Sequence, residues 1–374
     1  MDDFRTKIND WKKIGFIGLG LIGGSIAKAI RLEYPKIKLV GHASRRSTLE
    51  KAEAEGVILN KDFLPLEEFA TCDVLFLCSP VRVNCDYLDQ LKPLLSKKTL
   101  ITDVGSVKGD IHEKIRELGL SAQFIGGHPM AGSEAIGFEN SSRLLLQNAF
   151  YILTHDPEMN AEELNLFSEF VHSLGAIPIQ LTPDRHDFAT ASISHLPHII
   201  SASLVDLVRK EDTKDSILKT IAAGGFRDIT RISSSSPVMW QNICLANRDE
   251  ILKLLDLYED SLDEFRKAIL AGDSESLIRL FSNAKEYRDS LAITDRGILP
   301  VANEIYLFIE DKVGGIAAVS KLLADHDINI QNIGIIHNRE FEDGVLRIET
   351  YRSDDRDRAV QLLKEAGYQI RKRK

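Results

Sequence analysis

The chain has 374 residues, of which 44% are hydrophobic and 28% charged, and its formal net charge is −9. This length exceeds what one compact core normally holds, so two or three domains are expected. The acidic balance argues against a nucleic-acid or anionic-membrane surface, and we expect neither partner.

Cysteine usage and the lack of an apolar leader predict the compartment. Cys72, Cys78, Cys85 and Cys244 form no C-x-x-C pair. Three of them lie in or beside an apolar strand pattern, where free cysteine acts as a small hydrophobe, as in a reducing compartment. The N-terminal residues show no apolar core of a signal peptide. We also find no run of about 18 apolar residues, the length that a membrane span needs. We therefore expect a cytoplasmic protein.

Residues 12 to about 180 alternate short apolar runs with helical patterns. The runs include KIGFIGLG, CDVLFLCSP, TLITDVGS and QFIGGHP. Near-continuous apolar strands separated by helices indicate buried parallel strands with crossover connections. The pattern predicts an α/β domain with a Rossmann-type doubly wound sheet over residues 1–180.

From about residue 183 the strand pattern ends. One long apolar helix is predicted over residues 184–210, with a kink at Pro197. Another helix begins with Ser236 as N-cap and Pro237 at its first position, and two amphipathic helices cover 250–270 and 274–291. The prediction is an all-α domain over 181–298. Because one subunit cannot cover all its apolar faces, we expect a homodimer.

The last segment, residues 299–374, changes pattern again. Strand and helix signals follow the order β-α-β-β-α-β, with a hairpin at NREFEDG between the second and third strands. This order predicts a small ferredoxin-like domain.

A glycine-rich loop, GLGLIGGS, follows the first apolar run. Its spacing is Gly18-x-Gly20-x-x-Gly23 between a strand and a helix, where the pattern indicates a dinucleotide site. Gly18 allows a tight turn, Gly20 lets the backbone approach a pyrophosphate, and Gly23 allows close helix packing. The free N–H groups at the helix start would hold the pyrophosphate. The alternative is a glycine-rich turn without a ligand.

The end of the second strand departs from the NAD pattern, which places Asp or Glu about 20 residues after the loop. The sequence VGHASRRST presents Ser44, Arg45 and Arg46 instead. These side chains can hold a 2′-phosphate, so the local chemistry favours NADP. The alternative is that the arginines are solvated and that Ser44 or backbone groups hold an unphosphorylated ribose.

Histidines form the next group of candidates. His128, in GGHPMAGSE, follows a strand at the sheet edge where open α/β folds bind ligands. His195 and His198 are three residues apart, with His186 nine residues upstream of His195. No cysteine or carboxylate completes a convincing zinc set, so no metal is predicted. Structural roles for all of these histidines remain the alternative.

Six segments together resemble the prephenate dehydrogenase (TyrA) family of tyrosine biosynthesis, in the form with a C-terminal ACT domain. They are GLGLIGGS, CSPV, DVGSVK, GGHPMAGSE, SHLPH and GGFRDITRI…MW, and they occur in family order. The resemblance implies oxidative decarboxylation of prephenate to 4-hydroxyphenylpyruvate and CO2. Hydride leaves the ring carbon that bears the hydroxyl, and loss of the carboxylate makes the ring aromatic.

The resemblance also implies residue roles. His128 matches the histidine that accepts the hydrogen bond of the substrate hydroxyl, and Ser106 matches the serine that orients it. Lys108 either neutralises substrate or is solvated, and Asp103 holds loop backbone at the cofactor edge. The expected substrate-binding residues are Ser194, His195, His198, Gly224, Asp228, Arg231 and Trp240, with Arg231 pairing with a carboxylate. The expected cofactor residues are Gly18, Gly20, Leu21, Ile22, Gly23, Ser44, Arg45, Ser79, Pro80 and Asp103.

The third unit resembles an ACT domain, whose loop and helix start bind amino acids. The expected ligand residues are Asp311, Val313, Gly314, Gly315 and Asn329. Many ACT loops have Pro-Gly where this chain has Val313-Gly314. We expect feedback inhibition by tyrosine, and a dimerisation module without ligand is the alternative.

Two other functions stay open. An arogenate dehydrogenase would share the fold and the chemistry. A nucleotide-sensing regulatory protein without catalysis would not need Ser106, His128 and Arg231 together. For the cofactor, the whole-chain resemblance favours NAD over the local argument for NADP, because relatives of this class mostly use NAD.

Overall fold

The structure is a computed structural model, and it describes residues 2–132, 136–291, 303–309, 312–336, 345–350 and 352–371. The chain forms two compact units, Met1–Arg296 and Gly297–Lys374. The predicted hairpin at NREFEDG and the candidate residue Asp311 lie outside the described residues.

The first unit is built on a seven-stranded sheet of order β2-β1-β3-β4-β5-β6-β7. Its strands are β1 (Lys13–Ile17), β2 (Lys38–His42), β3 (Val74–Leu77), β4 (Leu100–Asp103), β5 (Phe124–Pro129), β6 (Phe150–Thr154) and β7 (Ile177–Leu181). The helices between and around them are α1 (Asp2–Asn9), α2 (Leu21–Glu33), α3 (Arg46–Ala54), α4 (Glu67–Ala70), α5 (Val81–Leu91), α6 (Gly109–Glu117) and α7 (Ala161–Ser173).

Helices cover both faces of this sheet because both faces of its strands are apolar. Successive side chains of β3 alternate between the two cores. Phe76 packs in the core that includes Phe167 of α7, and Leu75 packs in the core that includes Leu88 of α5 and Ile111 of α6. The predicted doubly wound α/β fold is therefore confirmed.

The prediction of a wholly parallel sheet is wrong at one edge. Strands β1 to β5 run parallel, but β6 pairs antiparallel with β5, and β7 pairs parallel with β6. The described residues between β5 and β6 contain a short 3₁₀ turn at Phe138–Asn140 and no long crossover helix. Without that helix the chain reverses at this edge. Strand β7 was not predicted from the sequence.

The rest of the first unit is helical. Its helices are α8 (Pro183–Thr190), α9 (Leu196–Glu211), α10 (Ile217–Ile221), α11 (Gly224–Thr230), α12 (Pro237–Ala246), α13 (Arg248–Ala271) and α14 (Ser274–Ser290). The predicted start of α12 is confirmed, because Ser236 caps it by accepting from Met239 N and Pro237 follows.

One continuous helix of 29 residues runs from Pro183 to Glu211. A π-helical turn, Ala191–His195, joins α8 to α9 directly before Pro197, with Leu196 N donating to Ala191 O. Proline has no N–H for the α-helical hydrogen bond. The helix accommodates Pro197 with this wider π-helical turn, at the place where a kink was predicted. By length and composition alone this helix could cross a membrane, which differs from the sequence-based expectation. Its side chains His186, Asp187 and His195 are nevertheless buried within the first unit.

The second unit is a four-stranded antiparallel sheet of order β11-β8-β10-β9 with two helices. Its elements in chain order are β8 (Glu304–Phe308), α15 (Gly315–Ala324), β9 (Ile330–Ile336), β10 (Val345–Thr350), α16 (Ser353–Glu365) and β11 (Ile370–Arg371). Leu307, Leu346 and Ile348 of the sheet share a core with Val319 and Leu363 of the helices. The predicted ferredoxin-like β-α-β-β-α-β fold is confirmed.

Candidate active site

The candidate residues of the sheet domain follow the carboxyl ends of parallel strands. Gly18 follows β1, Ser79 follows β3, Asp103 ends β4, and His128 lies near the end of β5. Carboxyl ends of neighbouring parallel strands meet at one edge of an open sheet, where ligands bind in folds of this kind. The sheet therefore brings the glycine-rich loop and His128 to the same edge.

The glycine-rich loop has the geometry of a dinucleotide cradle. Gly18 has φ of +102°, and a Cβ there would lie 2.7 Å from the Cys78 carbonyl carbon. A Cβ on Gly23 would lie 2.4 Å from the Gly18 oxygen, whereas one on Gly20 would meet no atom within 4 Å. Contacts within the protein therefore require glycine at Gly18 and Gly23. At Gly20 the space beside the backbone is open.

The start of helix α2 is suited to an anion. Gly20 is its N-cap, and neither a capping side chain nor an acidic residue lies in its first turn. The positive end of this 13-residue helix, with Leu21 and Ile22 in its first turn, is thus left for an external negative group. These features fit the pyrophosphate of a dinucleotide such as NAD.

At the end of β2, the two arginines differ. Ser44 and Arg45 are exposed, and no side-chain bond is seen for either among the described residues. Arg46 binds two carboxylates, with Nη2 2.6 Å from Asp62 Oδ1 and Nε 3.1 Å from Glu50 Oε1. Its charge is therefore compensated within the protein, which weakens the local argument for NADP.

The turn after β3 is held by a residue that sequence reasoning missed. Ser79 N donates to the buried Asn84 Oδ1 at 3.1 Å, and Asn84 Nδ2 donates to Ser79 O at 2.8 Å. Pro80 is exposed at the N-cap of α5. Asn84 thus fixes the shape of the loop that carries Ser79 and Pro80 to the sheet edge.

The loop after β4 is held by a buried ion pair between Lys108 and Asp103. Lys108 Nζ lies 2.5 Å from Asp103 Oδ2 and also donates to Gly127 O at 2.7 Å. Asp103 accepts in addition from Gly105 N at 2.8 Å and Gly127 N at 3.1 Å. Both side chains are fully buried, so neither alternative for Lys108, a substrate contact or a solvated charge, is correct. Asp103 holds loop backbone, as expected, and its contact to the cofactor stays a prediction.

His128 is hydrogen-bonded to a second histidine. Its Nδ1 lies 2.7 Å from Nε2 of His186, and the rings meet edge to face. Desolvation, followed by the nearby His186, Lys108 and His195, lowers the pKa of His128 well below its ordinary value. The ring is therefore neutral at neutral pH and able to accept a proton.

The predicted orienting residue, Ser106, makes no hydrogen bond to His128 within the described part of the chain. Ser106 lies half-buried in the loop between β4 and α6. The observed partner, His186, was considered from the sequence only as a zinc ligand. Its sequence signal was the adjacent Asp187, since a carboxylate that accepts from one ring nitrogen fixes which nitrogen of a histidine carries the proton.

Three predicted substrate residues form one aromatic group. The indole of Trp240 stacks on His198 at 3.8 Å between ring centroids and meets His195 edge-on at 6.0 Å. The buried Nε1 of Trp240 has no hydrogen-bond partner among the described residues. A buried donor without a partner is costly, so this N–H is a candidate donor for a substrate group.

His195 is a neutral ring with an assigned tautomer. Its Nδ1 lies 3.1 Å from Asn247 Nδ2, which also donates to Asp187 O at 2.9 Å. Because the amide nitrogen donates, Nδ1 of His195 accepts and Nε2 carries the proton. Desolvation lowers the pKa of His195 to about 4. Asn247, which the sequence did not single out, thus makes His195 a donor at Nε2.

The remaining substrate candidates lie around this group. Arg231 is exposed, and after desolvation its charge is the next cause that lowers the pKa of His198, so the two side chains are close. Gly224 begins α11, and Asp228 is an exposed residue of the same helix. Ser194 lies in the π-helical turn. Among the described residues, Asp228 has no ion pair within the chain.

In the second unit, Val313, Gly314 and Gly315 lie at the start of α15, whereas Asn329 follows the end of that helix. Gly314 has φ of +86° and is the N-cap, and Gly315 is the first helical residue. Val313 is fully exposed, and Asn329 is exposed directly before β9. No capping side chain or first-turn acid is present at this helix start.

Comparison with known proteins agrees with this geometry. The family model for the prephenate dehydrogenase nucleotide-binding domain matches residues 26–180, and that for the prephenate dehydrogenase dimerization domain matches 182–283. The prephenate dehydrogenase of Bacillus subtilis is 37% identical over 92% of this chain and 94% of its own length.

Two solved structures are similar over most of the first unit. A prephenate dehydrogenase from A. aeolicus, in complex with hydroxyphenyl propionate and NAD+, has a TM-score of 0.69 and 31% identity, covering 74% of this chain and 97% of that one. An arogenate dehydrogenase from Synechocystis has a TM-score of 0.67 and 35% identity, covering 74% and 99%.

Proposed function

The chain belongs to the prephenate dehydrogenase family, an NAD-dependent family of oxidoreductases, and we propose that its own substrate is prephenate. In this proposal it oxidises and decarboxylates prephenate to 4-hydroxyphenylpyruvate and CO2. The observation that carries it is the neutral His128, held at the same sheet edge as the open Gly20 loop.

His128 would act on the ring hydroxyl of the substrate. A neutral imidazole can accept the hydroxyl proton as charge develops on the ring carbon. Bound NAD supplies the hydride acceptor, held by the backbone of Gly18 to Gly23 and the start of α2. We propose Ser106, in the loop before α6, as a further contact to the hydroxyl, because it matches the serine of the family motif.

The substrate carboxylates require cationic and donor groups. The exposed guanidinium of Arg231 can form a two-pronged bond to one of them. The Nε2–H of His195 and the free Nε1–H of Trp240 supply further donors in the same region. Gly224, Asp228 and Ser194 complete the proposed substrate contacts.

Formation of NADH on addition of prephenate to the purified protein tests this function. We expect turnover with prephenate and NAD, and its absence would favour the alternative of a regulatory protein that binds nucleotide without catalysis. Arogenate is the second candidate substrate, because an arogenate dehydrogenase is 35% identical over 74% of the chain. The ratio of kcat/KM for the two substrates decides between them.

A homodimer is the proposed assembly. The helical part of the first unit leaves many large apolar side chains more than half exposed, among them Ile193, Ile221, Val238, Ile269, Leu270 and Phe281. A second copy is the occupant that fits, because the matched family region is described as a dimerization domain. Sedimentation equilibrium should give twice the chain mass, and Leu270→Glu should shift it toward the monomer.

We place the protein in the cytoplasm. Its described cysteines are free thiols, as in a reducing compartment. In this proposal the apolar faces of Pro183–Glu211 are covered by the partner subunit rather than by lipid. Recovery of the active dimer from the soluble fraction without detergent would support this, and recovery only from membranes would contradict it.

Tyrosine is the proposed effector of the second unit. The uncapped start of α15 presents backbone N–H groups beside Gly314 and Gly315, where an amino-acid carboxylate can bind. Asp311, Val313 and Asn329 complete the proposed site by their match to ACT loops. Inhibition of the full-length enzyme by tyrosine, weakened by Gly315→Val, is expected. No tyrosine binding to the full chain would leave this unit as a dimerisation module.

A further inference from the structure

Asp187 is a carboxylate fixed by the loop that precedes α6. Its Oδ1 accepts from Lys108 N at 2.8 Å, and its Oδ2 accepts from Gly109 N at 2.7 Å. Backbone N–H groups can only donate, and an ionised carboxylate can only accept. Asp187 therefore joins the helical part of the first unit to the sheet edge in one orientation.

His186 is oriented by this carboxylate. It is fully buried, and its Nδ1 lies 2.7 Å from Asp187 Oδ1. Desolvation lowers the pKa of His186, so the ring is neutral and carries one proton. Because Nδ1 donates that proton to Asp187, Nε2 of His186 has a lone pair and is an acceptor.

The acceptor on His186 determines the tautomer of His128. Nε2 of His186 lies 2.7 Å from Nδ1 of His128, so this Nδ1 must carry the proton of the neutral His128 ring. The remaining ring nitrogen, Nε2, then has the lone pair. The chain of bonds thus runs in one direction, from His128 through His186 to Asp187.

We propose that His186 and Asp187 are positioning residues that hold His128 with Nδ1 protonated and Nε2 free to accept the substrate hydroxyl proton. This inference rests on the proposed function. The step moves one proton from the hydroxyl oxygen to Nε2 of His128 while hydride leaves the same substrate. The Nδ1–H bond to His186 strengthens as His128 becomes cationic, with the Asp187 carboxylate one residue further along the chain of bonds.

Two substitutions of His186 separate the hydrogen bond from mere packing. His186→Gln places an amide oxygen near the position of Nε2 and keeps an acceptor for His128. His186→Leu fills similar space without an acceptor. We expect His186→Leu to lower kcat about 10-fold or more, part of the contribution of a positioned base, with the KM for NAD unchanged. His186→Gln should restore most of kcat.

The tautomer itself is measured by ¹⁵N NMR of histidine-labelled protein with NAD bound, with His128 assigned from the His128→Asn spectrum. We expect the signal of a ring protonated at Nδ1 in the wild type, and a mixture of tautomers in His186→Leu. A wild-type His128 protonated at Nε2 would overturn the proposal. So would a normal kcat in His186→Leu, or equal losses in the Gln and Leu variants.

The two proposals fail separately. Absence of NADH formation from both prephenate and arogenate would refute the proposed function, whatever the tautomer of His128. If His186→Leu does not fold, the His186→Gln kinetics and the wild-type spectrum still decide, because a large kcat loss in His186→Gln would then contradict an acceptor role.

Discussion

The guanidinium of Arg46 lies between the carboxylates of Asp62 and Glu50, with Nη2 2.6 Å from Asp62 Oδ1. This arrangement stands at the end of β2, where a dinucleotide fold distinguishes a ribose hydroxyl from a 2′-phosphate. Two negative charges beside one arginine disfavour a further phosphate. The pairing gives a physical reason why Arg46, one of the two arginines here, does not favour NADP in a chain of an NAD-dependent family.

Removing both carboxylates should relax the cofactor preference. We expect Glu50→Gln with Asp62→Asn to raise the ratio of kcat/KM for NADP to that for NAD about two- to five-fold, the effect of an exposed ion pair. Steady-state rates with each cofactor measure this ratio. Glu53→Gln, an exposed change in the same helix, is the matched control. An unchanged ratio in the double variant would contradict the role given to Arg46.

Gly20 and Gly23 should respond differently to alanine. A methyl group on Gly20 meets no protein atom within 4 Å, so Gly20→Ala should fold normally but weaken NAD binding about 10-fold or more, since it occupies the pyrophosphate path. A methyl group on Gly23 would lie 2.4 Å from Gly18 O, so Gly23→Ala should lower the melting temperature as well. Thermal unfolding and NAD titration distinguish the two. Normal NAD affinity in Gly20→Ala would place the pyrophosphate elsewhere.

His128→Asn should lower kcat by roughly 100-fold or more, the scale of a positioned acid–base group. The dissociation constant of NAD should change little, because His128 lies near the end of β5 and the glycine-rich loop follows β1. Single-turnover rates and NAD titration give the two quantities. Near-normal turnover would return His128 to a structural role.

Stability should fall in mild acid. Burial lowers the pKa of His112, His128, His186 and His195, the last to about 4, below the value near 6.5 expected in the unfolded chain. Between the folded and unfolded pKa values, these histidines are therefore protonated in the unfolded chain and neutral in the folded chain. This stabilisation is fully present above pH of about 6.5 and declines as the pH falls toward the folded-state pKa values, by up to about 1.4 kcal/mol per pH unit for each group.

Urea unfolding between pH of about 7.5 and 5.5 measures this slope, in a range above the ordinary titration of carboxylates. His195→Gln should reduce the pH dependence of the free energy of unfolding by the contribution of one histidine. A pH-independent free energy of unfolding would contradict neutral burial of these rings.

The features that could be predicted from the sequence are local ones. The glycine spacing from Gly18 to Gly23 and the capping of α12 by Ser236 each depend on a few adjacent residues. The relation between His128 and His186 spans 58 positions and depends on how α8 packs on the sheet, which no local pattern encodes. Lys108 was misplaced for a similar reason, since its pairing with Asp103 depends on the course of the loop.

The antiparallel pairing of β6 with β5 could not be predicted from the sequence for another reason. The apolar run of β6 is equally suited to either strand direction, because side-chain alternation does not depend on it. The direction is set by the connection from β5, which begins after Pro129. Strand β7 has only five residues and includes Pro178 and the polar Gln180, so its apolar run is short.

The wide turn at Ala191–His195 holds one more residue than an α-helical turn would. An added residue rotates everything downstream by about 100° around the axis relative to an uninterrupted helix. The helix can therefore present His186 and Asp187 to the sheet edge, and His198 to Trp240, from faces that a regular helix would align otherwise. A shortening of this turn by one residue would separate the proton-accepting half of the site from the substrate-holding half, without altering a single side chain of either.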